Sequence, residues 1–170
     1  MNKLVVFLGN PGSQYAKTRH NTAWLCCDTL INENRWQEKF HGLFIKDGET
    51  VYLKPQTFMN ESGVSIQETA KFFNISADNI LVVHDDIEMK FGDVKVQQGG
   101  GLGGHNGLRS VKQHMNTDTF WRLRIGVGRP QVMDVASWVT SRFTEDEESN
   151  LVHVFSHACD IIKSWLKEHK

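Results

Sequence analysis

Apolar residues fall into short unbroken runs, separated by stretches in which they recur every three or four positions. Leu4–Leu8 is a continuous β-favouring run, the pattern of a strand buried on both faces, and Gly9-Asn10-Pro11-Gly12 ends it. Ala23–Leu30 predicts a helix with Trp24 and Cys27 on one face. Leu43–Lys46 and Thr50–Lys54 flank Asp47-Gly48-Glu49, which predicts a hairpin closed by Pro55; residues 36–41 fit neither period. Ser62–Phe73 predicts a helix through Ile66, Ala70 and Phe73, stopped by Asn74. Ile80–Val83 predicts a buried strand and Asp93–Gln97 a further one, with Val94 and Val96 on one face.

A helix is expected from about Asn106 to Met115. Trp121–Val127 alternates: Leu123, Ile125 and Val127 point to the core, while Arg122 and Arg124 point to a solvent face or a ligand. Val135–Val139 predicts a short helix. Thr144 followed by Glu147 predicts a capping box, opening a last helix with a stripe of Leu151, Phe155, Ala158, Ile162 and Trp165. Strands alternating with helices predict an α/β fold, one domain over residues 1–170. Its central sheet is expected to be twisted, mixed and mostly parallel, flanked by helices.

Composition narrows the classes without choosing one. The formal net charge of −1 gives no global reason for a polyanion partner. Between Lys90 and Arg129, however, seven Lys/Arg stand against two Asp, which fits either a solvated face or a nucleic-acid footprint. Cys26, Cys27 and Cys159 have no metal spacing and suit reduced, packed thiols in a cytoplasmic protein. No run is long enough to span a membrane, and the first apolar run is too short for a signal peptide.

The polar punctuation carries the chemistry. Asn10 and His20 lie in the connection after the first apolar run, and His84-Asp85-Asp86 and the run Gly99 to Gly107 follow later strands; in open α/β sheets ligands bind beyond the strand carboxyl ends. His20 is suited to act as a general base, and Asp85 is the preferred carboxylate to fix its tautomer. There is no Gly-x-Ser-x-Gly elbow and no activated cysteine, so water is the expected nucleophile. Asn10, Asn60 and Asn106 can donate to a carbonyl oxygen or oxyanion without adding charge, although asparagine also serves as a cap or turn residue. The glycine run lacks the Gly-Lys-Ser/Thr ending of a phosphate loop. A helix starting near Asn106 would still offer free N–H groups to an anion, with Arg109 and Lys112 on it. His84, Asp85, Asp86, Glu88 and His105 are dense in potential ligands, but no zinc spacing is present, so no metal is expected.

Taken together, several blocks resemble bacterial peptidyl-tRNA hydrolase. They are Gly9-Asn10-Pro11-Gly12, Tyr15 to Asn21, Lys54 to Gly63, His84-Asp85-Asp86, Gly99 to Leu108 and Arg122 to Gly128, in order along the whole chain. The resemblance implies a cofactor-free, monomeric, cytoplasmic α/β hydrolase with no obligate protein partner. It would cleave the ester between a peptide and the 3′-terminal ribose of tRNA, engaging the acceptor stem and 3′ end. It implies that His20 activates water, Asp85 pairs with it and Asn10 assists at the ester. Asn60 and Asn106 would hold substrate, with His105 at the gate of the cleft. The resemblance implies a tRNA contact at Arg124; Tyr15, within a matching block, and Lys95 and Arg109, on the basic segment, are further candidates for the substrate and tRNA contacts. Gln97 stands where the family pattern has a lysine, and Thr22 where small residues are common. A non-catalytic RNA-binding relative and a generic esterase are the alternatives.

Overall fold

The computed structural model describes residues 1–32 and 34–169. Seven strands form one sheet: β1 (Lys3–Phe7), β2 (Gln37–Lys39), β3 (Gly42–Asp47), β4 (Thr50–Pro55), β5 (Ile80–Asp86), β6 (Val94–Gln98) and β7 (Trp121–Gly126). Their order is β2-β3-β4-β1-β5-β7-β6. The central four, β4-β1-β5-β7, run parallel, and antiparallel pairs close both sides. The sheet is thus mixed with a parallel centre, as expected, and residues 36–41 resolve into a short exposed strand at one edge.

Both faces of the centre are covered, which is why β1 reads as an unbroken apolar run. Val5, Phe7, Leu81, Val83, Leu123 and Ile125 pack with α1 (Thr22–Leu30) and the final helix α5 (Glu145–Glu168). Leu4, Val6, Ile80 and Val82 pack with α2 (Ser62–Phe72) and α3 (Asn106–Met115). The expected stripe on α5 is buried throughout. The capping box at its start is formed: Glu147 N–H donates to Thr144 Oγ1 at 3.1 Å, and Thr144 N–H to Glu147 Oε1 at 2.9 Å. The remaining helix is α4 (Val135–Val139).

Two expectations are corrected. β5 does not stop at Val83; pairing of His84, Asp85 and Asp86 with Arg124, Ile125 and Gly126 of β7 carries it through the polar triplet. Arg122 does not reach a solvent face. It is 1% exposed, its guanidinium lies over Phe120, and it donates to the carbonyls of Gly101 and Asp118. With β7 flanked on both sides, its arginine face lies under the glycine loop rather than in water.

The α2–α3 contact needs Gly63. A Cβ there would stand 2.1 Å from the Ser110 carbonyl oxygen, and Gly63 N–H already donates to Ser110 Oγ at 2.8 Å. Gly63→Ala is expected to lower the unfolding free energy by ~1–3 kcal/mol, the usual range for overpacking. Urea denaturation checks this, and an unchanged midpoint would contradict so close an approach.

Candidate active site

The carboxyl ends of the parallel strands meet in a cleft of about 490 Å³, within the range of small-molecule sites. β1 leads into Asn10, β4 leads toward Met59 and Asn60, and β5 ends on His84-Asp85-Asp86. The turn before α1 supplies His20, and the start of α3 supplies His105 and Asn106. Phe58, Ile87, Leu102 and the α4 residues Val135, Ala136 and Val139 form the apolar walls.

Asp85 lies at the centre, 1% exposed. Its Oδ2 accepts from His20 Nδ1 at 2.8 Å and its Oδ1 from His105 Nε2 at 2.8 Å. The His105 tautomer is set from the other side of its ring. As the N-cap of α3, its Nδ1 accepts from the N–H groups of Gly107 at 3.0 Å and Leu108 at 3.3 Å. The ring proton therefore sits on Nε2 and points at Asp85. Burial by itself would raise the Asp85 pKa, but the charge of His20 and the two imidazole donors hold it well below the usual carboxylate range.

His20 faces the opposite balance. Burial lowers its pKa, and the Asp85 charge and hydrogen bond outweigh that, leaving it above the ordinary 6.5. With Nδ1–H committed to Asp85, the neutral ring keeps Nε2 as an acceptor in the cleft with no partner among the described residues. His84 is different. It is fully buried, its Nδ1 donates to the Asp85 carbonyl at 2.7 Å, and burial pushes it down to about 4. It stays neutral and packs edge-on against His105, ring centroids 5.2 Å apart.

Asn10 is held by three bonds. Its N–H donates to Asn21 Oδ1 at 2.9 Å, its carbonyl accepts from Asn21 Nδ2 at 2.9 Å, and its side-chain Oδ1 accepts from Met59 N–H at 2.7 Å. Its Nδ2 donors have no acceptor among the described residues, so they remain for a ligand. Asn60 and Asn106 are exposed on the rim, Asn106 within 3.5 Å of Arg109 Nη1.

His20, Asp85 and His105 lie within 4.8 Å of one another, close enough for a metal trio. The donor set does not fit one. His105 Nε2 carries the proton required by the cap at Nδ1, so ligation there would demand an imidazolate or a broken N-cap.

Of the ten residues expected at the site, the cleft brings together Asn10, His20, Asn60, Asp85, His105 and Asn106. Tyr15 is one layer out, edge-on to Phe58 with ring centroids 6.3 Å apart. Lys95 and Arg109 are exposed outside the lining. Arg124 is half-buried: its Nε donates to Asp86 at 2.7 Å and Nη1 to Gln97 Oε1 at 3.0 Å. Gln97 thus has a clear task, since its Nε2 also donates to the Gly99 carbonyl at 2.9 Å, tying Arg124 to the glycine loop. Thr22 is buried and donates to the Arg19 carbonyl. The sequence reading missed the second histidine on Asp85 and the apolar wall of α4. A histidine directly before a helix start was the signal for the first, and the expected 135–139 helix for the second.

Comparison with known proteins supplies independent observations. The sequence profile of one family, described as peptidyl-tRNA hydrolase, matches residues 4–170. The peptidyl-tRNA hydrolase of Lactobacillus gasseri is 41% identical over 97% of this chain and 93% of its own length. That of Desulfitobacterium hafniense is 43% identical over 98% and 94%. The crystal structure of peptidyl-tRNA hydrolase from Acinetobacter baumannii superimposes with a TM-score of 0.88 at 35% identity, covering 98% of this chain and 89% of that one.

The electrostatics of the cluster can be read directly. In an NMR titration the His20 ring should have its midpoint above 6.5, because Asp85 favours the charged form. In Asp85→Asn only burial remains, so the midpoint should fall below 6.5. A midpoint that does not move would remove Asp85 as its cause.

Proposed function

The chain belongs to the peptidyl-tRNA hydrolase family, and from that membership and the geometry of its cleft we propose how it hydrolyses peptidyl-tRNA. The observation that carries the reading is the buried Asp85 carboxylate shared by His20 and His105, with His20 Nε2 left free in the cleft. His20 takes a proton from water while that water adds to the ester carbonyl. Asp85 holds the ring in the required tautomer and stabilises the imidazolium. Asn10 Nδ2 donates to the substrate carbonyl as negative charge develops there. As the tetrahedral species collapses, the bond to the 3′-terminal ribose oxygen breaks and the imidazolium returns its proton to that oxygen. The acyl product forms as a carboxylic acid and gives its remaining proton to solvent; peptide carboxylate and tRNA leave, and no cofactor or metal takes part.

Asn60 and Asn106 on the rim are assigned to the peptide and the attacking water, and His105 to the support of Asp85. The tRNA acceptor stem and 3′ end lie against Lys95 and Arg109, both exposed. Arg124 has its Nε–H on Asp86 and one Nη1–H on Gln97, which leaves the second Nη1–H and Nη2 for a phosphate. Tyr15 braces Phe58 at the mouth. The protein acts as a cytoplasmic monomer.

Hydrolysis of N-acetyl-aminoacyl-tRNA, followed on gels beside free aminoacyl-tRNA and a small ester, tests this reading. Cleavage of the blocked substrate in excess chelator is expected. His20→Ala should reduce turnover by at least ~100-fold with little change in tRNA binding, because positioned bases contribute ~10²–10⁴. Asp85→Asn should lose less than His20→Ala. Binding without cleavage would instead favour a non-catalytic RNA-binding protein, and equal cleavage of the small ester a generic esterase.

A further inference from the structure

Arg19, directly before His20, is 2% exposed. A buried cation is costly unless paired, and Arg19 is paired on several sides. Its Nη2 donates to Glu147 Oε1 at 2.8 Å and its Nη1 to the Arg142 carbonyl at 2.8 Å and to Ser141 Oγ. The guanidinium carbon lies 3.5 Å from the centroid of the Trp138 ring. The Arg19 N–H adds a bond to the Ser141 carbonyl at 3.0 Å, and Thr18 bridges to Arg142.

All these partners belong to one segment, residues 138–147. That segment contains the end of α4, whose Val135, Ala136 and Val139 form one wall of the cleft. Trp138 sits among them, and its Nε1 donates to the Gly128 carbonyl at 2.8 Å. Glu147 Oε1 serves both Arg19 and the cap of α5. Relative to apolar packing, a buried ion pair seldom adds net stability. Arg19 even leaves its Nε buried without a hydrogen-bond partner among the described residues. The arrangement is better explained by placement than by stability.

We infer that Arg19 is a positioning residue: anchored on Glu147, it fixes the α4 wall relative to His20 and so sets how the substrate is held in the cleft. The inference rests on reading the cleft as the site for the ester substrate. It also separates two tasks in one short turn, His20 for the reaction and Arg19 for the shape of the site.

Glu147→Gln is the discriminating variant. Glutamine keeps the cap acceptor and the side-chain size but removes the charge facing Arg19. Amide exchange at residues 135–141 should accelerate by about tenfold or more, with β1 and β5 unaffected. KM for N-acetyl-aminoacyl-tRNA should rise by about fivefold, kcat should change by less than about twofold, and the pH midpoint of the reaction should stay put. Arg19→Lys, which keeps the charge and loses the fork, should shift exchange and KM in the same direction. A role in stability alone would lower Tm without moving KM or the local exchange, and that result in either folded variant overturns the inference. If the wild-type protein fails to cleave the substrate, the functional reading fails, while the exchange measurement still decides whether Arg19 holds the wall.

Discussion

One buried carboxylate organises the cleft. Asp85 is removed from water yet charged, and it stays charged because two imidazole N–H groups converge on its two oxygens. Each of those donors is fixed from elsewhere. His105 is locked by the first amides of α3, and His20 by a turn pinned to the segment before α5. The carboxylate therefore couples β5, the start of α3 and the turn before α1. Loss of either imidazole would leave a buried charge under-compensated, which is among the more damaging changes a core can suffer.

The fold supplies this convergence through simple constraints. Parallel strands bring their carboxyl ends to one edge, so residues far apart in sequence arrive together. Pairing with β7 extends β5 far enough to present Asp85. The same pairing sets Arg124 beside Asp86, and Gln97 passes that link to the glycine loop. Arg122 lies beneath the same loop, bonded to the Gly101 carbonyl. The loop thus has side-chain supports on its sheet side and a helix N-terminus after it.

Much of this was legible in the sequence, and the reasons differ by element. Strand and helix periods were clear where both faces or one stripe are buried, as in β1 and α5. Residues 36–41 were ambiguous because a three-residue exposed edge strand has no apolar period. The end of β5 was misplaced because polar residues at a strand terminus look like a loop until a neighbouring strand is known to pair with them. Arg122 was misread for a related reason: alternation tells which residues share a face, not whether that face is wet. His20 with Asp85 was foreseeable from chemistry and from the family resemblance. His105 directly before the expected helix start hinted at an N-cap, but that its other nitrogen then meets Asp85 depends on how α3 and β5 come together in the fold.

The most direct measurement is the pH dependence of kcat/KM for peptidyl-tRNA cleavage by the wild-type protein and by Asp85→Asn. If His20 acts as a base whose charged form Asp85 stabilises, the wild-type rate rises with pH through a midpoint above 6.5. In the variant the plateau should be lower and the midpoint should shift below 6.5, since burial then acts alone on the imidazole. Identical profiles for the two proteins, in midpoint and in plateau, would contradict the account.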